Sequence, residues 1–314
     1  MTNLMLDSTL LKAEASRLGF TACGTAPVAP VDEDTACHFL SWIEQGKHAS
    51  MEYLAKNIDK RLNPGLLVEG AQSIISVALN YHPSKLLDPT AQYEFATYAY
   101  GQDYHEVMKS RLTALLNYLH SMLPEDHPRQ ARIFCDTAPL LEKYWAWRCG
   151  LGWIGKNTQL IIPQAGSAFF LGEIIIDVPF SQYDSPMDEQ CGNCTRCLDE
   201  CPTQALYVPY RLDSARCLSY QTIENRGKIP AEIACKMGNC IYGCDRCRTI
   251  CPWHRFASPT QVAEFAPTEA FLSLTRAELE ALTPDKYRTI FKKTAIKRAK
   301  YEGLMRNIRY AKGE

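Results

Sequence analysis

Cys191, Cys194, Cys197 and Cys201 follow one another at spacings of two, two and three intervening residues, and Pro202 closes the run. Cys244, Cys247 and Cys251, followed by Pro252, repeat its latter part. Three thiolates on one tight loop can hold one iron–sulfur cube, while the fourth, a short helical turn further on, reaches a second cube; this is the bacterial two-cluster ferredoxin pattern. Crossing of the fourth ligands assigns Cys191, Cys194, Cys197 and Cys251 to one 4Fe-4S cluster, and Cys201, Cys244 and Cys247 to the other. The second run carries Ile241 where its first cysteine would stand. Cys217 and Cys240 are the two candidates for the missing ligand; Cys217 is preferred, and Cys235 and Cys240 are read as ordinary thiols. Zinc is the alternative metal, but zinc sites usually pair two CxxC units across a longer gap.

Such an electron wire needs far fewer residues than the 314 of this chain. About 190 residues precede the first run, with only Cys23, Cys37, Cys135 and Cys149 scattered among them. They leave room for a separate domain with its own core, which the wire would feed. With 46% hydrophobic and 22% charged residues the chain reads as globular rather than disordered. No run of about 18 apolar residues is present, which argues against a membrane span. Met1 to Leu11 places Asp7 where a signal peptide would be apolar, so a cytoplasmic location is expected. Cytosolic thiols stay reduced, so fourteen cysteines are better explained by metal than by disulfides.

The elements that must position the wire's target read as a mixed, α+β arrangement with an α/β-type first half. Helices are expected over Asp7 to Leu18, Thr35 to Gly46, Tyr104 to Leu123 and Pro139 to Arg148. Strands are expected over Ser73 to Leu79 and Ala131 to Asp136, and Thr158 to Ile162 with Ala168 to Asp177 form a candidate hairpin about Pro163-Gln-Ala-Gly166. The expected domains are 1–180, a ferredoxin-like unit over 181–260, and a helical tail over 261–314 with helices at Thr275 to Leu282 and Tyr287 to Lys300. From Lys286 onward ten Lys/Arg face only Glu302 and Glu314, a net of +8; the preceding 285 residues hold 24 basic against 33 acidic, a net of −9. Tyr287, Phe291, Tyr301 and Tyr310 interleave with the basic residues. A basic surface with aromatics suits phosphate contact and stacking on unpaired bases, and a solvated helix face is the plainer alternative.

Tyr100-Gly-Gln-Asp-Tyr-His105, Asp136-Thr-Ala-Pro-Leu-Leu-Glu142, Gly150-Leu-Gly-Trp-Ile-Gly-Lys-Asn157, Phe170-Leu-Gly-Glu173, Ser219-Tyr-Gln-Thr-Ile-Glu224 and Ile241-Tyr-Gly-Cys-Asp245 together resemble the epoxyqueuosine reductases. The resemblance runs from about Arg61 to the tail. It implies a cobalamin-dependent reduction of the epoxide of epoxyqueuosine to the alkene of queuosine at a tRNA wobble position, with a core fold shared with reductive dehalogenases and similar to nitroreductases. It implies Asp136 as proton donor. Burial at the end of Ile133-Phe-Cys135 would raise the pKa of that carboxyl toward a useful general-acid value. Read from its neighbours alone, Asp136 is instead a helix N-cap ahead of Pro139. The resemblance further places Arg61, Tyr104, His105, Gly155, Lys156, Asn157, Ser167, Ser219 and Thr222 around the corrinoid. Family members usually carry a basic residue where this chain has Gln102, and many continue past Glu314 into a helical extension. Expected partners are a tRNA anticodon stem-loop and an external low-potential electron donor, acting on a monomer. A small-molecule dehalogenase and a ferredoxin-like carrier without catalysis are the competing functions.

Overall fold

The computed structural model describes residues 4–313, so Met1–Asn3 and Glu314, with the parts of the leader and tail readings that fall on them, lie outside it. Eight strands are described: β1 (Ala22–Pro27), β2 (Ser73–Asn80), β3 (Glu94–Phe95), β4 (Ala131–Phe134), β5 (Trp153–Ile154), β6 (Leu160–Ile161), β7 (Phe169–Ile176) and β8 (Cys240–Tyr242). The main sheet has the order β1-β2-β7-β4 and every pairing in it is antiparallel. The α/β character expected of the first half is therefore absent from this sheet.

Strand β2 is apolar along its length because both of its faces are covered. Side chains alternate across a strand. Ile75, Val77 and Leu79 face the helices Ser8–Arg17 and Tyr104–Ser121, whereas Ile74 and Ala78 face the helix Glu142–Arg148 with its buried Trp145 and Ala146. Asp7, Asp32 and Asp103 cap the helices Ser8–Arg17, Glu33–Glu44 and Tyr104–Ser121 through side-chain bonds to backbone N–H groups.

The anticipated hairpin about Gly166 separates into two sheets. The turn closes through Ile162 and Gly166, with Gly166 at φ +81°. Beyond it β6 pairs with β5, while β7 joins β2 over eight residues and β4 over four. The long buried pairing outweighs the local one because it removes more apolar surface from water.

The helix after Asp136 also starts later than expected, at Glu142 with Leu141 as its cap. Asp136 makes no N-cap bond there and sits at φ +57°, a backbone conformation costly for a non-glycine residue. Gly150, at φ +72°, follows the end of that helix in the left-handed conformation that glycine favours.

The C-terminal residues are not an appended tail. Helices Pro284–Phe291 and Lys300–Lys312 flank a 3-10 turn, Ala295–Ala299, in place of one helix through Lys300. They share a core with Tyr93, Phe95, Tyr100 and Tyr242, and β3 pairs in parallel with β8. Asn307 Nδ2, fully buried, donates to the carbonyls of Thr222 and Ile241 at 2.8 Å each. First half, cysteine unit and C-terminus are thus stitched together. Among the described residues no helix is long and apolar enough to cross a membrane.

Candidate active site and cluster cavities

The cysteine runs fold into two cavities. The first, about 180 Å³, is lined by Cys191, Cys194, Cys197 and Cys251 with Lys156, Asn157 and Trp253. The second, about 200 Å³, is lined by Cys201, Cys217, Cys244 and Cys247 with Tyr81, Tyr98, Ser219 and Arg248. The cavities group seven of the cysteines as the crossed spacing does, and Cys217 stands at the place the spacing leaves open. Cys217, at the N-cap of the helix Leu218–Ile223, lines the second cavity. Cys240 is buried on β8 and its thiol donates to Gly243 O at 2.6 Å. Among the described residues no three His, Cys, Asp or Glu side chains converge as they would on a single ion. The thiols border a volume, as a cube of irons and sulfides requires. Burial, reinforced by neighbouring sulfurs, pushes Cys197 and Cys217 up to about 11, so ionised thiolates here need a cation to offset them.

The residues around Gly155 serve the cluster loops. Lys156 Nζ donates to the carbonyls of Gly192 and Cys194, and Asn157 Nδ2 donates to Cys247 O at 3.0 Å. A Cβ on Gly155 would stand 2.6 Å from Ile161 Cδ1 and 2.9 Å from Asn157 Oδ1, so the glycine lets Asn157 reach across. Lys156 and Asn157, expected at the corrinoid, thus have their amine and amide donors on the backbone of the cluster loops. Thr222 is fully buried, and its hydroxyl donates to Leu218 O at 2.7 Å and accepts from Gly243 N at 2.9 Å.

Asp136 occupies the loop after β4, and 60% of its side-chain surface is accessible. Tyr104 Oη donates to its Oδ2 at 2.5 Å, and His105 Nε2 lies 3.6 Å from the same oxygen. The Tyr104 ring stacks between His105, at 4.1 Å, and Phe170, at 4.3 Å. The Asp136 N–H donates to Glu142 Oε1, which holds the loop in its left-handed conformation. Burial pushes the Asp136 carboxyl up, but the nearby His105 imidazole and the hydrogen bond from Tyr104 outweigh it, and the group lies below its ordinary range. The raised value expected for a general acid is therefore not found in this arrangement; the neighbours that orient the carboxyl also favour its charged form. Burial, then the charge of Asp136, pushes Tyr104 far up, so its phenol stays protonated. The hydrogen bond to Asp103 and the nearby Asp136 carboxylate raise His105 to about 9. Glu142 is pushed up by burial and by Asp136, and Glu173 by burial and by Glu142.

Arg61 is only 6% exposed, yet its Nη2 donates to Tyr53 O at 3.2 Å and its Nε finds no hydrogen-bond partner among the described residues. Such a buried guanidinium leaves a donor that a bound polar group would satisfy, so Arg61 fits the expected cofactor. Ser167 is buried beside the Gly166 turn, and Ser219 edges the second cavity. Tyr104 and His105 sit at the site as expected, but their polar atoms face carboxylates. Asp103, Glu142 and Lys297 were missed; the Asp-Tyr-His triplet ahead of a helix was the available signal for the first.

The basic C-terminal surface is narrower than its composition. Lys297 pairs with Asp103 at 2.5 Å, Arg298 holds Glu224 with two bonds of 2.8 Å, and Arg306 donates to the carbonyls of Gln221, Asn225 and Gly227. Tyr287 and Phe291 are buried and cannot stack on bases; Tyr301 and Tyr310 are half-buried. Lys292 and Lys293 are exposed.

Two thiol-lined cavities beside a carboxylate–phenol–imidazole cluster are the arrangement of an iron–sulfur oxidoreductase. The comparisons agree. Residues 61–137 match the family model described as epoxyqueuosine reductase QueG, DUF1730, and residues 190–254 match a 4Fe-4S double cluster binding domain. The chain is 42% identical over 305 residues to the epoxyqueuosine reductase of Cellulophaga algicola, covering 97% of this chain and 98% of that one. It is 40% identical to the Pseudomonas aeruginosa enzyme, covering 95% and 82%. A crystal structure of epoxyqueuosine reductase with an epoxyqueuosine-modified tRNA-Tyr stem loop superposes with a TM-score of 0.87 at 29% identity, covering 96% of this chain and 80% of that one. This chain belongs to the epoxyqueuosine reductase family.

Proposed function

We propose that the chain reduces epoxyqueuosine to queuosine at the wobble position of tRNA, with Asp136 as proton donor and cobalamin as the group that delivers electrons to the substrate. Cobalamin would supply a low-potential, strongly nucleophilic metal centre; Arg61, Ser167 and Ser219 are the residues that would hold it. The cavities of Cys191/Cys194/Cys197/Cys251 and Cys201/Cys217/Cys244/Cys247 would hold two 4Fe-4S clusters, which would supply the electrons taken from an external low-potential donor; the enzyme is a cytoplasmic monomer. The chemistry takes up two electrons and two protons and releases the epoxide oxygen as water. Asp136 and Tyr104 meet the developing charge on that oxygen, since each can present an O–H once Asp136 is protonated.

The observation that carries this reading is adjacency. Tyr98 lines the second cluster cavity, and its ring centroid lies 6.3 Å from that of Tyr104, whose hydroxyl holds Asp136. Electrons and protons can therefore be delivered to one place. The test is an anaerobic assay of the reconstituted protein, with cobalamin and a chemical reductant, on tRNA bearing epoxyqueuosine. Queuosine should form only with both cofactors present. Its absence, with cobalamin bound as judged by the visible spectrum, would overturn the assignment in favour of a small-molecule reductase; no cobalamin binding at all would favour an electron carrier.

A further inference from the structure

Removal of an epoxide oxygen as water consumes two protons, and one carboxyl can deliver only one of them before it must be recharged. The groups behind Asp136 form a route for that second proton. His105 Nε2 lies 3.6 Å from Asp136 Oδ2, and His105 Nδ1 lies 2.7 Å from Asp103 Oδ1. Asp103 Oδ2 in turn holds Lys297 Nζ at 2.5 Å. Exposure rises away from the buried anion: the side chain of Asp103 is 8% accessible, that of His105 36% and that of Lys297 57%. The backbone of Asp103 is fixed as well, its N–H donating to Lys293 O at 2.7 Å.

We infer that His105 reloads Asp136 with the second proton of each turnover, and that Asp103, held by Lys297, is the positioning residue that fixes the imidazole for this task. The inference rests on the reductase reading above and adds the path by which its acid is recharged.

The transfer balances. His105 holds its proton more tightly than Asp136 does, so the imidazolium gives up its proton to Asp136 only as the Asp136 proton passes to the strongly basic substrate oxygen. That passage drives the transfer. The Nε2–H bond breaks, an O–H bond forms on Asp136, and His105 becomes neutral. Asp103 stays ionised and keeps the proton on Nδ1, so only Nε2 exchanges, and the accessible edge of the ring takes its next proton from solvent. A separation of 3.6 Å is beyond a hydrogen bond, but a small rotation of Asp136 or one water closes it. The net reaction is epoxide plus two electrons plus two protons giving alkene plus water, with the electrons supplied through the clusters.

The charges facing His105 set its working range. Asp103 and Asp136 stabilise its charged form, and the carboxyl of Glu142 acts in the same direction from beyond Asp136. Lys297 offsets part of the Asp103 charge, Arg298 does the same for Asp136, and the Tyr104 ring covers one face of the imidazole. The hydrogen bond to Asp103 and the nearby carboxylate of Asp136 raise His105 to about 9. The imidazolium is therefore present below that pH and lost as pH rises through it, so turnover should fall on the alkaline side.

The test is the pH dependence of kcat for the holoenzyme with saturating epoxyqueuosine-tRNA. In Asp103→Asn the side-chain oxygen that caps the following helix remains. The imidazolium loses its charged partner, so the alkaline limb should move to lower pH by about one unit or more while KM for tRNA stays unchanged. His105→Ala should lose on the order of 100-fold in kcat, and added imidazole should restore part of it. Superimposable alkaline limbs in wild type and Asp103→Asn, or kcat within about twofold of wild type in His105→Ala, would overturn the relay. In either case queuosine formation by the wild type would leave the reductase assignment standing; a wild type inactive at every pH would remove that assignment itself.

Discussion

All the thiols that line the two cluster cavities lie within residues 191–251, whereas the groups around Asp136 come from Asp103 to His105, from Asp136 to Glu142 and, through Lys297, from close to the C-terminus. The electron side of the molecule is local in sequence and the proton side is not. The reason lies in the chemistry each must do. A cluster ligand needs only to bring one sulfur within bonding distance, and short loops of fixed spacing accomplish that. An acid needs an environment, because burial and neighbouring charges set its protonation, and those arise only when distant segments pack.

The contrast is broken most severely at its electron end. Cys217→Ser should lower bound iron from about eight to about four per chain and abolish turnover, while Cys240→Ser should leave iron content at its wild-type value. Equal losses in both variants would mean that the second cluster is not confined to the cavity thiols. At the proton end, Asp136→Asn should lower kcat by about 10²- to 10⁴-fold with cobalamin content and tRNA affinity unchanged. Near-normal turnover would remove the carboxylate from the reaction and leave the surrounding cluster without a purpose.

A smaller effect separates the substrate surface from both. Replacing Lys292 and Lys293 together by Gln should reduce the salt dependence of tRNA binding by about one to two units of slope, measured from log K against log salt concentration. Arg306, tied to three backbone carbonyls, belongs to the fold instead. The smallest change expected is in Thr222→Val. Loss of the acceptor for the buried Gly243 N–H should cost about 1–3 kcal/mol in a denaturation experiment, with cobalamin affinity unaltered. Weakened cobalamin binding at wild-type stability would support the cofactor role that the resemblance implies.

Much of the fold was legible where periodicity and caps agree. The helices expected from Asp7, Thr35 and Tyr104 begin at Ser8, Glu33 and Tyr104, and the apolar run of β2 announced a buried strand. Pro139 misled, because proline at the first turn of a helix and proline in an extended loop read alike until the Asp136 N–H finds Glu142. The Gly166 turn was visible, but not that its two arms would part, since the partners of β7 lie about 40 and about 100 residues away. The basic residues after Lys286 were countable, yet the count could not reveal that Arg298, Arg306 and Lys297 are spent on Glu224, backbone carbonyls and Asp103.

What the sequence determined by itself is the cofactor wire: cysteine spacing dictates which thiols can share a cluster, because covalent reach along a short loop is set by the number of intervening residues. The tertiary structure decided which of Cys217 and Cys240 faces the second cavity. It also decided that Lys156 and Asn157 brace the cluster loops and that Asp136 lies against Tyr104 and His105. Those outcomes depend on burial and on partners far apart in the chain, and neither is written in local spacing.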